Sequence, residues 1–398
     1  MFQAASASSS QPTAREAAEE CVVQIAGKGI GAPAFALVHA NSALPLQDIG
    51  RILRAHWPGA RLHAATSCLG GMTDSGGATS DSLSLAILAI NDATGEYGVA
   101  AGDFHGGARA TGYRLARQAL ENAGRAGEIP AVVLVCATPG DEEDFLAGVQ
   151  EVVGSGAPII GGSAADNDIT GSWRILLDEG SSGSGAIVST LFPSVAVTAA
   201  FQSGYAPTEQ RGVVTRAAGR RVFEIDHKPA ANQYERWTEG AVRRPVEGAA
   251  NILMASALAP LGRAAGLLGD MPLYSLSHPE TICADGSITL FTHIAEGDEL
   301  VLMKATAATL VSRASGVVRS ARRIGDLHLE DVSAMIMYYC GGCMLQVSDR
   351  LDEIRGSLMA ELPRVPFVVG FTFGEQGSLS PGPVRHGNLM ISAIVFGS

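Results

Sequence analysis

The feature that most constrains this fold is a pattern that the sequence repeats three times. In each copy an apolar strand runs into a turn of small residues, an amphipathic helix follows, and a second apolar strand ends in small residues. The copies cover residues 34–71, 131–162 and 334–370. Repeated units of this kind bury their apolar faces against one another. The repeat therefore predicts two similar halves, one on each side of a shared pocket.

Hairpins between the repeats narrow the fold class. Strands at residues 172–178 and 185–191 are joined by a run of glycine and serine, which is typical of a hairpin turn. Consecutive hairpins exclude a purely parallel sheet, and the alternation of strands with helices excludes an all-α or all-β protein. The sequence thus predicts a mixed α/β (α+β) fold of internally repeated strand-helix-strand units, with mixed sheets stacked face to face and helices outside.

A shift in composition after residue 204 suggests two domains. The 398 residues are enough for two domains, each with its own core. We expect an N-terminal tail and short helix at residues 1–32, a first domain at 33–208 and a second at 209–398. The tail begins with a run rich in serine and alanine, residues 1–13, which we expect to be disordered.

Charge and cysteine usage limit the partners and the compartment. The formal net charge is -12, from 28 Lys and Arg against 40 Asp and Glu. No nucleic acid or anionic membrane is expected as a partner, because both require a basic patch. The six cysteines lack the spacing of a disulfide framework, and neither a signal peptide nor a membrane-spanning stretch is visible. These observations predict a cytoplasmic protein with reduced cysteines.

Four short motifs occur in a fixed order along the chain. They are TSCLGG at residues 66–71, GGSAAD at 161–166, EIDHKPA at 224–230, and a segment from Pro366 to Asn388 that contains Gly374-Glu375 and His386. In this order they resemble the FIST proteins (F-box and intracellular signal transduction). The resemblance implies a FIST N-terminal domain at residues 33–208 and a FIST C-terminal domain at residues 209–398.

The resemblance to FIST proteins also implies a function. It implies a sensory module that binds a small ligand such as an amino acid, and not an enzyme. We expect it to signal in trans to a histidine kinase or another effector protein. Some bacterial members of the family are described as haem-binding nitric oxide sensors, so haem is an alternative cofactor.

Two acidic residues at corresponding strand ends suggest how a ligand binds. Asp166 follows the glycines of the second repeat, and Glu375 follows those of the third. Backbone N–H groups in such turns bind anions, whereas the acids bind an ammonium group, and together they suit an amino acid. In the alternative interpretation both acids cap the turns that follow them. The predicted pocket is lined by Thr66, Ser67, Cys68, Gly162, Asp166, Gly374, Glu375 and His386.

His386 and a pair of cysteines support the alternative functions. His386 is predicted to lie in a Pro/Gly-rich loop before the last strand, where it can ligate haem iron or simply face solvent. Cys340 and Cys343 form a C-x-x-C motif, which suggests a redox pair with a lowered thiolate pKa, half of a zinc site, or a tight structural turn. A hydrolase acid/base pair is a distant alternative, because no nucleophile and base accompany the two acids.

Overall fold

Four β-sheets with helices packed on them form the fold of the computed structural model, which describes residues 1–79, 83–268, 271–378 and 384–398. Three of these sheets have six strands each, and the fourth has nine. Parallel and antiparallel pairs occur within the same six-stranded sheets. The predicted mixed α/β fold is therefore confirmed.

The strands and helices are numbered in chain order. The strands are β1 (Phe2–Ser9), β2 (Phe35–Ala40), β3 (Arg61–Thr66), β4 (Gly71–Thr73), β5 (Gly76–Gly77), β6 (Leu85–Asp92), β7 (Glu96–Asp103), β8 (Val132–Ala137), β9 (Ile159–Gly162), β10 (Ile175–Leu176), β11 (Ser181–Ser182), β12 (Gly185–Phe192), β13 (Val197–Ser203), β14 (Ala206–Ala218), β15 (Arg221–Ile225), β16 (Lys228–Pro229), β17 (Ala250–Asn251), β18 (Leu261–Leu268), β19 (Met271–Ser277), β20 (Pro279–Ile282), β21 (Ile288–Leu290), β22 (Glu299–Lys304), β23 (Ala334–Cys340), β24 (Phe367–Thr372), β25 (Glu375–Ser378), β26 (Val384–Gly387) and β27 (Met390–Phe396). The helices are α1 (Ala14–Gly27), α2 (Leu46–His56), α3 (Ala108–Asn122), α4 (Glu142–Val153), α5 (Ala230–Trp237), α6 (Leu253–Ser256), α7 (Ala307–Ile324), α8 (Gly341–Leu345) and α9 (Leu351–Glu361).

Each of the three sequence repeats forms a parallel pair of strands in a different six-stranded sheet. The pairs are β2 with β3, β8 with β9, and β23 with β24. Parallel neighbours need a crossover connection, and here it contains α2, α4, or α8 together with α9. These strands are fully buried or nearly so, which explains why they are continuous apolar runs instead of alternating ones.

The strand that follows each repeat leaves its own sheet and joins the sheet of another repeat. β4 pairs with β24, β10 pairs with β3, and β25 pairs with β9. The exchange is cyclic: the first repeat extends the third, the third extends the second, and the second extends the first. The predicted arrangement of two similar halves was therefore wrong, because three equivalent units surround one centre.

Hydrogen bonds between the strand ends close this centre. The Ser67 hydroxyl donates to the carbonyl of Phe371 at 3.0 Å and accepts the N–H of the same residue at 2.6 Å. The N–H of Ser163 donates to the carbonyl of Gly374 at 2.8 Å. The ends of the three repeats are thus fixed to one another.

The N-terminal segment is ordered, contrary to the prediction of disorder over residues 1–13. β1 pairs antiparallel with β6 along its whole length, from Phe2 opposite Asp92 to Ser9 opposite Leu85. Small side chains on β1 let α1 pack closely over it, since both elements bury alanines in one core. Backbone pairing and this packing outweigh the low-complexity composition on which the prediction of disorder was based.

The nine-stranded sheet contains most of the sequence between the second and third repeats. Residues 249–268 contain β17, α6 and β18. α5 covers one part of this sheet and buries Tyr234 and Trp237. The predicted boundary between residues 208 and 209 falls within β14, and the division into domains stays a prediction.

Candidate ligand-binding site

An apolar cavity of about 110 Å³ lies between the strand ends of the second and third repeats and the nine-stranded sheet. We call it the strand-end cavity. Its apolar walls include Ile169, Trp173, Leu253, Met254, Phe291, Leu345 and Phe373. Its polar lining includes Glu142, Arg220, His278, Cys340 and Asn388. A mostly apolar cavity with a few polar groups is the usual form of a small-molecule site.

The walls come from segments that the strand exchange brings together. Trp173, in the loop before β10, packs edge to face on Phe373, which follows β24, with ring centroids 6.3 Å apart. His278 lies between β19 and β20, and its Nε2 is 2.8 Å from the carbonyl of Leu253. Burial lowers the pKa of His278 to about 4, so this side chain is neutral at pH 7.

A buried ionic cluster of Glu142, Glu143 and Arg220 forms the polar end of the cavity. The two glutamates begin α4, and Arg220 lies in the turn between β14 and β15. Arg220 Nη2 is 2.7 Å from Glu142 Oε2 and 2.5 Å from Glu143 Oε2. Glu142 also accepts hydrogen bonds from the Ser163 hydroxyl and from the N–H of Gly140, each at 3.0 Å.

Two carboxylates share one guanidinium in the ionic cluster, which gives these three groups a formal charge of -1 without the neighbouring His386. Burial by itself would raise the pKa of Glu142, but the charges of His386 and Arg220 outweigh it and hold that pKa below the usual value. The pKa of Glu143 is lowered in the same way. Burial opposes ionisation of Arg220, yet the two carboxylates raise its pKa. All three groups are therefore ionised at pH 7.

His386 lies behind the ionic cluster, and the structure corrects its predicted place in a loop. It belongs to β26, opposite Gln376 of β25, and its side chain is 1% exposed. Its Nε2 is 3.9 Å from Glu142 Oε1. The Pro/Gly segment 381–383 that prompted the loop prediction lies outside the described residues. The solvent-exposed alternative was also wrong, since pairing with β25 buries the imidazole.

The predicted residues of the first repeat and Gly162 lie in the closed junction between repeats. Thr66 Oγ1 accepts the N–H of Arg174 at 2.8 Å, and the Ser67 hydroxyl is engaged by β24 as described above. Cys68 is buried, and burial, with the charges of Asp166 and Cys340, raises its pKa to about 12. A side chain on Gly162 would collide with Thr372. Their role in binding a ligand stays a prediction.

Asp166 and Glu375 are both fully buried, and the structure favours the turn-capping interpretation for Asp166. Its two carboxylate oxygens accept the N–H groups of Ile169, Thr170, Gly171 and Ser172. Glu375 accepts the Thr372 hydroxyl at 2.8 Å and the N–H of Met390 at 3.0 Å. Burial and the neighbouring Cys340 raise the pKa of Glu375 well above its usual value. Gly374, by contrast, lines the strand-end cavity.

The C-x-x-C motif forms the end of β23 and the beginning of α8, with both cysteines buried as free thiols. Burial raises the pKa of Cys340 well above its usual value, and the neighbouring Cys343 adds to the effect. The predicted lowering of a thiolate pKa was therefore wrong for Cys340. Cys343 Sγ lies 3.4 Å from the hydroxyl of Tyr205. Within the described residues, no group of three or more His, Cys, Asp or Glu is arranged to hold a metal ion.

The surroundings of His386 do not fit a haem. The Cε1–Nε2 edge of its ring packs on the backbone of Gly374, where an added Cβ would lie 3.0 Å from Nε2. The cavity on its other side is lined by charged groups, among them Glu143, Arg263, Asp298 and Arg385. A haem needs a flat and largely apolar space beside the ligating ring nitrogen, and a cavity lined by these charged side chains is not of that kind.

Sequence reasoning missed Glu142, Glu143 and Arg220 as site residues. The run Pro139-Gly140-Asp141-Glu142-Glu143 marked the turn of the second repeat, but acids in a first helical turn are common because they favour the helix dipole. Arg220 contacts Glu142 across 78 positions of sequence. A helix-start acid that is also buried is the unusual feature, and its burial is visible only in the folded chain.

Two solved structures match this chain at low similarity. One is a cyanuric acid hydrolase from A. caulinodans, with 9% identity and a TM-score of 0.42, and the other is a cyanuric acid hydrolase with 10% identity and a TM-score of 0.33. In both cases all of each chain is covered. No curated protein sequence matches this chain. In the described residues, no helix is both long and apolar enough to cross a membrane.

These neighbours correct the expectation that the chain is not an enzyme. That expectation came from the resemblance to a sensory family and from the lack of a nucleophile and base beside the two acids, whereas both neighbours are named as hydrolases. At such low TM-scores the likeness carries no argument about activity, and it does not show that this chain is an enzyme.

The match to a known family covers most of the chain. The FIST N domain matches residues 34–228, and the FIST C domain matches residues 230–378. FIST domains are associated with signal transduction and sensing. The sequence-based resemblance is thereby confirmed, and the chain belongs to the FIST family.

Proposed function

We propose that this protein is a sensor that binds a small amine-bearing molecule, such as an amino acid with an apolar side chain, in the strand-end cavity. The observation that carries the proposal is the ionic cluster at one end of an otherwise apolar cavity. Two carboxylates on one guanidinium leave a negative charge away from bulk water, where it attracts an ammonium group strongly. The apolar walls would bury the body of the ligand.

Calorimetric titration of the full chain with matched ligands tests this assignment. Phenylalanine, leucine and phenethylamine offer an ammonium group on an apolar body, and 3-phenylpropionate offers the same body with a carboxylate alone. We expect saturable binding of at least one amine that depends on Glu142, whereas any binding of 3-phenylpropionate should be independent of Glu142. Glu142→Gln should weaken amine binding, whereas Glu151→Gln, on the exposed face of the same helix, should not. Equal affinity of the amines for both variants would refute the assignment.

We further propose that a separate signalling protein, such as a histidine kinase, reads the bound state. The association of FIST domains with signal transduction supports this, and so does the position of the cavity between three sheets, whose packing a ligand can bias. Hydrogen exchange with and without the bound amine tests it. Protection should change at the surface of the nine-stranded sheet, and a change confined to the cavity lining would count against signalling.

The compartment that we propose is the cytoplasm. The six cysteines are free thiols, and five of them are buried in apolar surroundings. Free cysteines are typical of a reducing compartment. Detection of the native protein in a fractionated cell extract would test this location directly.

A further inference from the structure

A second cavity, of about 360 Å³, lies where β18, β19 and β26 meet α4. We call it the arginine cavity, and it is defined by Arg263, Arg385, Ser275 and His386, with Glu143 and Asp298 at its acidic side. It differs from the strand-end cavity in chemistry, because half of its lining is polar. It therefore requires an explanation of its own.

The donors of the arginine cavity converge from three strands. Ser275 lies directly opposite Arg263 in the β18–β19 pair, so both share one face of the hairpin. β26 passes close by, because a Cβ on Gly387 would lie 3.4 Å from Ser275 Oγ. Arg385 also belongs to β26, and it is close enough to Arg263 for the two like charges to interact.

Two buried polar atoms in this lining lack partners. Ser275 and His386 are both at least nine-tenths buried, and neither Ser275 Oγ nor His386 Nδ1 has a hydrogen-bond partner among the described residues. A buried polar group without a partner costs free energy, and each such group calls for a bound species that satisfies it. A bound acceptor would satisfy both atoms, because the Ser275 hydroxyl can donate a hydrogen bond and so can His386 Nδ1 when it carries a proton.

The charges of the cavity also favour an anion. Asp298 pairs with Arg263 at 3.3 Å and accepts the N–H of Ala295. Glu143 is engaged by Arg220 and by the N–H of His293. Arg385 has no ion-pair partner within the part of the chain that the structure describes. Asp298 is therefore neutralised by Arg263, and Glu143 shares Arg220 with Glu142, so Arg385 is the cation of this lining that pairs with no acid among the described residues.

We propose that the arginine cavity binds the anionic group of a small molecule, a carboxylate or a phosphate, with Arg385 and Arg263 as charge partners. The Ser275 hydroxyl and His386 Nδ1 donate hydrogen bonds to the same group. This site is separate from the strand-end cavity and does not rest on the function proposed for it. Arginine suits the role because its guanidinium matches the geometry of oxyanions.

Calorimetric titration of the full chain with sodium phosphate, and separately with succinate, tests the proposal at constant ionic strength set with potassium chloride. We expect saturable binding of at least one probe. Phosphate alone would identify a phosphate-bearing ligand, succinate alone a carboxylate, and both together a general oxyanion site. Arg385→Gln should weaken binding about tenfold to a hundredfold, because a charged hydrogen-bond partner is lost.

Two further variants make the test specific. Ser275→Ala should weaken binding by a smaller factor while leaving both arginines in place. Arg51→Gln removes an arginine of α2 that is 78% exposed and lines neither cavity, and it should leave binding unchanged. The proposal is overturned if neither probe binds saturably, or if Arg385→Gln binds the probe as tightly as the unaltered protein.

Discussion

Replacing Glu142 by glutamine should lower the free energy of unfolding by about 2–3 kcal/mol. The side chain is 2% exposed, and its oxygens lie 2.7 Å from Arg220 Nη2 and 3.0 Å from both the Ser163 hydroxyl and the Gly140 nitrogen. Glutamine has the same shape, so no cavity forms. The variant loses the charge that faces a half-buried guanidinium, but Glu143 still neutralises it, which keeps the loss below that of a fully broken buried pair.

A matched control lies on the same helix. Glu151 pairs with Arg109 at the surface, where both side chains are well exposed. Ion pairs of this kind contribute little to stability, so Glu151→Gln should have a much smaller effect. Urea-induced unfolding followed by tryptophan fluorescence measures both variants, and equal m-values would show that the same surface is exposed on unfolding.

The pH dependence of stability provides an independent test of the same prediction. Since the pKa of Glu142 is lowered in the folded state, its contribution is present above the usual glutamate pKa of about 4.3. It is lost as the pH falls through the lower pKa of the folded protein. The difference in stability between the unaltered protein and Glu142→Gln should therefore be constant near pH 7 and shrink below about pH 4.

Two results would show that this reasoning about Glu142 is wrong. One is a loss of stability no larger than that of Glu151→Gln. The other is a difference between the unaltered protein and Glu142→Gln that does not change down to pH 3. Either would mean that the buried carboxylate is not ionised against Arg220, and the negative charge assigned to the strand-end cavity would be lost with it.

Three more changes test the surroundings of the site. In a thermal-unfolding assay Gly374→Ala should destabilise the protein by about 2 kcal/mol or more, because Gly374 has φ +105° and an added Cβ would collide with His386. The control Gly356→Ala in α9 places its Cβ in open space and should be neutral or stabilising. The unaltered protein should lose stability as the pH rises above about 4.3, because Glu375 keeps its proton in the folded state while the unfolded chain releases it, and Glu375→Gln should not show this loss. Identical pH profiles of stability for the two proteins would contradict this. Cys340 should resist Ellman's reagent in the native protein at pH 8 and react on unfolding, and fast labelling of the native thiol would contradict its burial.

Local patterns in the sequence were sufficient to predict most elements of the repeats. The continuous apolar runs became buried parallel strands, and the short connections between them became crossover helices, because both features depend on neighbouring residues and on the reach of the chain. The order of the small-residue motifs along the chain was sufficient to identify the family. The prediction of disorder for β1 was wrong because β1 pairs with β6, which lies about 80 residues further along the chain, and so distant a pairing leaves no signal in the local sequence.

The candidate site was predicted only in part, and Gly374 shows why. Gly374 lines the strand-end cavity, whereas the two acids predicted to bind a ligand, Asp166 and Glu375, use their oxygens in hydrogen bonds to the protein. Asp166 and Glu375 occupy corresponding places in the sequence, but that correspondence does not say which residue faces a cavity. The cavity also needs a wall from the nine-stranded region, which residues such as Leu253 and Phe291 provide.

By itself, the sequence determined three strand–helix–strand units, their apolar cores and their family, because these follow from periodicity and from residues close together in the chain. The tertiary structure alone decided that the units exchange strands in a cycle, that Glu142 meets Arg220, and that Cys340 and Glu375 have raised pKa values. Strand exchange depends on pairings between distant residues, and a pKa depends on burial and neighbouring charge, neither of which a linear pattern contains.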